Sequence, residues 1–268
     1  MIRLNGSQIT PTLFPDQTSQ IWNIDLDVLS KRVKDNTFEI DWRFSHEGEL
    51  FHLAQLVMLL KEIKPGYRIH LHMDYLPYSR QDKIITNSTT FALTTFAIIL
   101  NNLHIDKITA IDSHSDRTKF LINNFINIFP SKYVATVCKE VNPDVLCVPD
   151  KGALTRYVRD LAFLGRPYIW GEKDRNQVTG HISNIKLNGN VQDKTVLIVD
   201  DICDGGMTFI LLAKELLTNG AKSVSLYTTH GIYSKGLKPL REAKIDRIFN
   251  MYGEVGELQD NITIKEIK

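Results

Sequence analysis

Residues 195–208 read TVLIVDDICDGGMT. A five-residue apolar run, 195–199, leads into two adjacent carboxylates, Asp200 and Asp201. Ile202, Cys203 and a third carboxylate, Asp204, are followed by Gly205, Gly206, Met207 and Thr208. From 209 to 217 the apolar residues recur with a helical period. Strand, acidic edge, glycine turn and helix start are how an open α/β sheet presents a ligand site at the carboxyl end of a strand. The glycines let backbone N–H groups approach an anion, and a helix N-terminus favours phosphate. Paired carboxylates just upstream suit sugar hydroxyls or a cation. An ordinary connection also favours Asp and Gly, but it gives no reason for two acidic residues side by side at a strand end.

Composition narrows the setting. At 268 residues the chain is long enough for one large or two medium domains with a sizeable core. A formal net charge of +1 gives no global argument for nucleic acid or an acidic membrane surface, so any anion site is local. Cysteines 138, 147 and 203 are odd in number and lack CxxC spacing, against a disulfide framework or a zinc site. Residues 1–14 lack the apolar core of a signal peptide, and no run approaches the roughly eighteen apolar residues of a membrane span. A soluble, cytoplasmic protein is expected.

The rest of the chain repeats the βα pattern. Strands are expected at 1–4, 20–24, 38–42, 67–73 and 107–111, with helices at 49–63 and 91–103. Residues 13–18, LFPDQT, form a turn with an aromatic before a proline. His70 and His72 share a strand face, but no third ligand lies at a suitable spacing, so packed or edge histidines are expected. Residues 74–83 are a polar loop with two cations and two carboxylates, a plausible nucleotide-phosphate contact. Asp112, His114 and Asp116 follow a strand at i, i+2, i+4, a pattern that suits a divalent cation or a capped turn. A hinge is expected at 130–132, dividing the chain into α/β domains 1–132 and 133–268. The second has strands at 145–148, 167–170 and 223–228, a helix at 155–163 and a last strand at 258–268. Between them GEKDRNQVTG, 171–180, is a glycine-bounded polar loop carrying Lys173 and Arg175, suited to electrostatic closure over a phosphoryl group.

Several of these segments resemble one family. VLIVDDICDGGMTF is similar to the phosphoribosyl-pyrophosphate-binding motif shared by type I phosphoribosyltransferases and ribose-phosphate pyrophosphokinases. PYSRQDK at 77–83, AIDSHSD at 110–116, VPDKG at 148–152 and THGIYSKG at 229–236 resemble, in order, further segments of the pyrophosphokinases. The resemblance implies two type I phosphoribosyltransferase-like domains with largely parallel sheets flanked by helices. It implies transfer of the β,γ-diphosphoryl group of ATP to the 1-hydroxyl of ribose 5-phosphate, assisted by Mg2+, with AMP leaving. Carried over by position, Asp200 and Asp201 would bind the ribose hydroxyls, and Asp204, Gly205, Gly206, Met207 and Thr208 the 5-phosphate. His114 and Asp150 would be associated with magnesium, and Phe14, Asp16, Arg80, Gln81 and His114 with ATP. Lys173 and Arg175 would stabilise the transferring group. The N-terminal domain is then the ATP side and the C-terminal domain the ribose 5-phosphate side. A homodimer or higher homo-oligomer is implied, because the Phe14 pocket in the family reaches across a dimer interface.

The chain departs from the family pattern in places. Thr18 stands where glutamate is usual, Gly205 where threonine is, and Met207 replaces a glycine. Residues 84–87, IITN, replace a basic segment linked to regulation by phosphate and ADP. Weak or absent allosteric control and an oligomer smaller than the family's hexamer are expected. The alternatives are a phosphoribosyltransferase that consumes the activated sugar and a non-catalytic regulatory relative.

Overall fold

The computed structural model describes residues 1–22, 24, 25, 33–175 and 182–253; of 173–175, 182–184, 252 and 253 it describes the backbone alone. The chain divides into two compact units, Met1–Ile128 and Phe129 onward.

The first unit contains β1 (Ile2–Leu4), β2 (Ser7–Ile9), β3 (Thr12–Leu13), β4 (Ser19–Gln20), β5 (Thr37–Trp42), α1 (Gly48–Ile63), β6 (Arg68–Met73), α2 (Ala92–Asn102), β7 (Lys107–Ile111), α3 (Thr118–Leu121) and β8 (Phe125–Ile128). Its six-stranded sheet has the order β2-β1-β5-β6-β7-β8, and β3 and β4 form a separate hairpin. From β5 to β8 the strands are parallel, while β1 is antiparallel to both β2 and β5. Alternation along TFEIDW and RIHLHM decides which face is covered. Phe38, Ile40, Trp42, Ile69, Leu71 and Met73 join Leu53, Leu56 and Leu60 of α1 and Leu93, Phe96 and Leu100 of α2 in one core. Glu39, Asp41, His70 and His72 fall on the opposite face.

Glu49 anchors α1 to this sheet. Its carboxylate accepts the Trp42 indole N–H at 3.0 Å, the Ser45 N–H at 2.8 Å, the Ser45 hydroxyl at 2.9 Å and the Met1 amino group. Burial alone would push this carboxyl up; the amino group, Trp42 and Ser45 outweigh it and hold the pKa at about 2.

The second unit contains α4 (Ser131–Val141), β9 (Val145–Val148), α5 (Lys151–Leu161), a 3-10 turn, β10 (Tyr168–Arg175), β11 (Ile182–Asn188), β12 (Thr195–Cys203), α6 (Met207–Thr218), β13 (Ser223–Gly231), α7 (Lys238–Glu242) and β14 (Arg247–Gly253). The sheet order is β11-β10-β9-β12-β13-β14, parallel except for β11. Here both faces are buried. Cys147, Val196, Ile198 and Leu226 pack with Phe209, Leu212 and Leu216 of α6. Leu146, Val148, Leu197, Val199 and Tyr227 pack on the other side with Val134 and Val137 of α4 and Tyr157 and Leu161 of α5. The unbroken apolar runs VLCV and TVLIV are what a doubly covered parallel sheet requires.

Several expected elements are corrected. Of the strand expected at 20–24, only Gln20 is strand among the described residues, because the Ile21 N–H is taken by the Gln55 side chain at 2.8 Å rather than by a strand. The helix expected from 155 begins at Lys151, because Asp150 caps it by accepting the Ala153 N–H at 2.9 Å. The run at 195–199 continues as strand through both carboxylates to Cys203. The polar stretch expected as a loop from 171 is strand as far as Arg175, paired with β11. Pro130, in the expected hinge, lies just past the boundary between the two units and is also the N-cap of α4. The strand expected at 258–268 lies outside the described residues.

Candidate active site

The second sheet has a notch at its carboxyl end, made by the shortness of one central strand. β9 ends at Val148, and β12 pairs with it only as far as Ile198. On the other side β10 last pairs with β9 at Trp170 and then continues to Arg175. Asp200 and Asp201 on β12 and Lys173 and Arg175 on β10 therefore lie on strands that overrun β9 on either side. The turn 149–150 fills the notch, and Gly171 is needed for the close crossing. A Cβ there would stand 3.1 Å from the Pro149 carbonyl oxygen and 2.8 Å from Ile185 Cγ2. Lys173 lies opposite Ile185 and Arg175 opposite Ile182, after a register irregularity. The rest of the expected cationic loop, 176–180, lies outside the described residues.

The two carboxylates meet an arginine that the motifs did not single out. Arg156, on α5, places Nη2 3.2 Å from Asp200 Oδ1 and 2.8 Å from Asp201 Oδ1. Asp150 begins the same helix as its cap. An arginine in the helix after VPDKG was the available signal, but only the topology brings it back onto β12.

The expected phosphate loop is a helix N-terminus with a second wall. Gly206 is the N-cap of α6 with φ 75°, a conformation that favours glycine, and a Cβ there would also meet Leu240 Cδ2 at 3.0 Å. The Phe209 and Ile210 N–H groups donate to the Gly206 carbonyl at 3.0 Å, and the Met207 and Thr208 N–H groups precede the first helical bonds. Met207 opens the helix with its side chain 50% exposed, so it does not fill the loop. Gly205 has ordinary space around it, with Lys235 Cε 3.6 Å from where a Cβ would stand. The segment 232–235 lines this loop: the Ile232 and Tyr233 N–H groups donate to the Cys203 carbonyl at 2.8 and 3.2 Å, and the Ser234 hydroxyl donates to Asp204 Oδ1 at 2.6 Å. Ser234 and Lys235 lie within THGIYSKG, a segment whose resemblance to the family assigns them no role. Cys203, beneath the loop, has its thiol pushed up to about 12 by burial and then by Asp200 and Asp204, so it stays protonated and inert.

In the first unit the segments 77–83 and 112–117 are brought together by Asp82. The Ser115 hydroxyl donates to Asp82 Oδ2 at 2.7 Å, and Arg117 Nη1 to the Asp82 carbonyl at 2.5 Å. The Gln81 carbonyl accepts the Leu93 N–H at 3.2 Å, tying the same loop to α2. Arg80, Gln81 and His114 are exposed. Asp112 is buried with φ 46°, while Asp116 is exposed and pairs with Lys119 at 3.6 Å. Of the two readings open for this i, i+2, i+4 set, a cation site made by all three side chains is not formed. Among the described residues no group of three or more His, Cys, Asp or Glu side chains is arranged to hold a metal ion. His70 and His72 instead meet Glu39 at 3.1 and 2.6 Å, and His72 also meets Thr109 at 2.7 Å.

Phe14 and Asp16 sit on the β3–β4 hairpin, which is fixed to α1 through Ser19 and His52 at 2.7 Å. Thr18, the departure from the family's glutamate, donates its hydroxyl to Asp16 Oδ1 at 2.7 Å and its N–H at 3.0 Å. Those two bonds hold the Asp16 carboxyl below its usual range.

Comparison with known proteins bears on this arrangement. Residues 133–257 match the family model for a phosphoribosyl transferase domain. The chain is 30% identical over 195 residues to the ribose-phosphate pyrophosphokinase of Thermococcus kodakarensis, covering 72% of this chain and 69% of that one. The chain belongs to the ribose-phosphate pyrophosphokinase family. The Pyrococcus furiosus pyrophosphokinase is 33% identical over 174 residues, covering 64% of this chain and 62% of that one. The Saccharolobus solfataricus pyrophosphokinase is 26% identical over 222 residues, covering 81% and 74%. Against the Pyrococcus furiosus and Pyrococcus abyssi pyrophosphokinases the chain spans 62% and 59% of the relative's length. Phosphoribosylpyrophosphate synthetase from Mycobacterium smegmatis shares the fold, with a TM-score of 0.67 at 20% identity over 91% of this chain and 79% of that one. Within this pyrophosphokinase family member, the notch and the glycine loop both fall inside the matched phosphoribosyl transferase domain.

Proposed function

We propose that the protein is a ribose-phosphate pyrophosphokinase, converting ATP and ribose 5-phosphate to phosphoribosyl pyrophosphate and AMP. The observation that carries this is the notch: paired carboxylates on an overrunning strand, beside a glycine-turned helix N-terminus, inside the phosphoribosyl transferase domain. Asp200 and Asp201 accept the ribose hydroxyls, and the loop from Asp204 to Thr208 holds the 5-phosphate by its N–H groups. The anomeric oxygen attacks the β-phosphorus of ATP, the bond from that phosphorus to the α,β-bridging oxygen breaks, and AMP leaves with that oxygen. Such a transfer needs positioning and charge neutralisation more than a covalent nucleophile. Lys173 and Arg175 supply that charge from β10. Phe14, Asp16, Arg80, Gln81 and His114 serve ATP.

The donor chemistry fits Mg2+. This ion keeps its waters and binds through one or two carboxylates together with substrate phosphates, not in an all-protein cage. Asp150, an oxygen donor at the notch, agrees with that habit. Asp150 is the residue at the notch that would hold it, a role the family resemblance also gives to His114 within the first unit, and when bound it neutralises charge on the phosphates. A cytoplasmic location, in keeping with three buried cysteines outside any disulfide, and a homo-oligomer are part of the same proposal.

Incubating the purified protein with ATP, magnesium and ribose 5-phosphate should give AMP and phosphoribosyl pyrophosphate in equal amounts. A folded sample that releases no AMP contradicts the proposal. Lys173→Ala should lower turnover by about a thousandfold with little change in ATP affinity, as expected for loss of transition-state charge stabilisation.

A further inference from the structure

Asp200 and Asp201 place two like charges on adjacent residues, and Asp201 is only 1% exposed. Carboxylates this close and this withdrawn from water need a cation in good geometry. Arg156 supplies it with one nitrogen, Nη2, which is within 3.2 Å of Asp200 Oδ1 and 2.8 Å of Asp201 Oδ1. The arginine side chain is itself only 13% exposed. Its guanidinium lies 4.8 Å from the centre of the Tyr157 ring. Tyr157 is fully buried and packs edge-on to Phe129 at 5.2 Å, so the surface beneath the guanidinium is rigid. The same helix starts at the Asp150 cap, so Arg156 ties the turn that fills the notch to the strand beside it.

We propose that Arg156 is a positioning residue for the sugar subsite. It holds the two carboxylates side by side, as a pair of acceptors matched to the vicinal hydroxyls of ribose 5-phosphate. This rests on the assignment of Asp200 and Asp201 to the sugar. A guanidinium suits the task better than an ammonium, because a planar, stacked group keeps its direction while one nitrogen bridges two oxygens. The residue touches neither substrate; it acts by fixing the groups that do.

Arg156→Lys is the informative variant, since it retains a cation between the carboxylates and so keeps the unit folded. It should raise KM for ribose 5-phosphate about tenfold while KM for ATP stays within about twofold, the split expected when one substrate's partners lose their alignment. Arg156→Ala should raise the sugar KM further, with lysine giving partial rescue. Titration of ribose 5-phosphate by calorimetry, without ATP, should show the same weakening. A purely structural arginine would lower the melting temperature and leave the ratio of the two KM values unchanged, and that result in folded Arg156→Lys overturns the proposal. Wild-type protein separates the two layers. Ribose 5-phosphate binding without AMP formation would remove the pyrophosphokinase assignment and leave the Arg156 proposal standing on the binding ratio. No binding of ribose 5-phosphate by wild-type protein would overturn both.

Discussion

The two halves are built from the same kind of parts and bury them differently. In the first, TFEIDW and RIHLHM alternate, and one face carries the core while the other carries Glu39, Asp41, His70 and His72. In the second, VLCV and TVLIV are apolar without a break, and a core lies on each side of the sheet. A strand buried on both faces leaves room for polar side chains only where it overruns its neighbour, past Ile198 in β12. That is where Asp200 and Asp201 stand. The first half has no such squeeze, and its polar groups spread over a sheet face and over the loops joined by Asp82.

Truncation tests this contrast most strongly. Leu197→Ala and Ile198→Ala, on opposite faces of β12, should each cost about 2–5 kcal/mol in denaturant unfolding. In β5, Ile40→Ala should cost a similar amount, but Glu39→Ala less than about 1 kcal/mol, because its half-exposed carboxylate pairs only with the part-exposed His70 and His72. Equal costs at Glu39 and Ile40 would break the one-sided description of the first sheet.

Glu49 gives the next largest effect and an acid signature confined to the first unit. Glu49→Ala leaves the buried Trp42 N–H without its acceptor and should cost about 1–3 kcal/mol. The folded pKa of about 2 lies below the ordinary glutamate value of 4.5. The contribution is therefore complete above about 4.5 and is lost as pH falls towards 2. Unfolding of wild type followed by Trp42-sensitive fluorescence should show this loss, and Glu49→Gln should flatten it.

Gly206→Ala should destabilise the second unit by about 1–2 kcal/mol, because φ 75° strains any side chain and Leu240 crowds it. Gly205→Thr, the residue usual in the family, should be tolerated within about 0.5 kcal/mol, given the space beside it. The smallest effect concerns regulation. With 84–87 lacking basic residues, ADP inhibition should remain competitive with ATP in steady-state kinetics.

Much of this was legible in the chain. Uninterrupted apolar runs before Asp200 and before Asp150 marked the second sheet, and Gly206 marked the helix turn. Alternation in RIHLHM marked the first sheet and put His70 and His72 on one face. Other features were not legible, for physical reasons. β8, FINI, is a short edge strand with little periodicity, and it emerges only from its pairing with β7. The start of α5 at Lys151 depends on the Asp150 cap, a side chain that also invites a metal reading. Lys173 and Arg175 look like loop cations, yet their backbone is strand because β11 returns to pair with it. Arg156 had no motif, since its importance comes from a helix folding back onto a strand 44 and 45 residues away.

Asp200→Asn separates the proposed sugar site of the second half from nucleotide binding. The change is isosteric and removes one acceptor charge at the notch. Calorimetric titration should show ribose 5-phosphate binding weakened by about a hundredfold, in keeping with loss of a charged hydrogen-bond acceptor. Binding of magnesium-ATP should stay within about threefold of wild type. Retained sugar-phosphate affinity, or an equal loss of both ligands in a folded protein, would contradict the account.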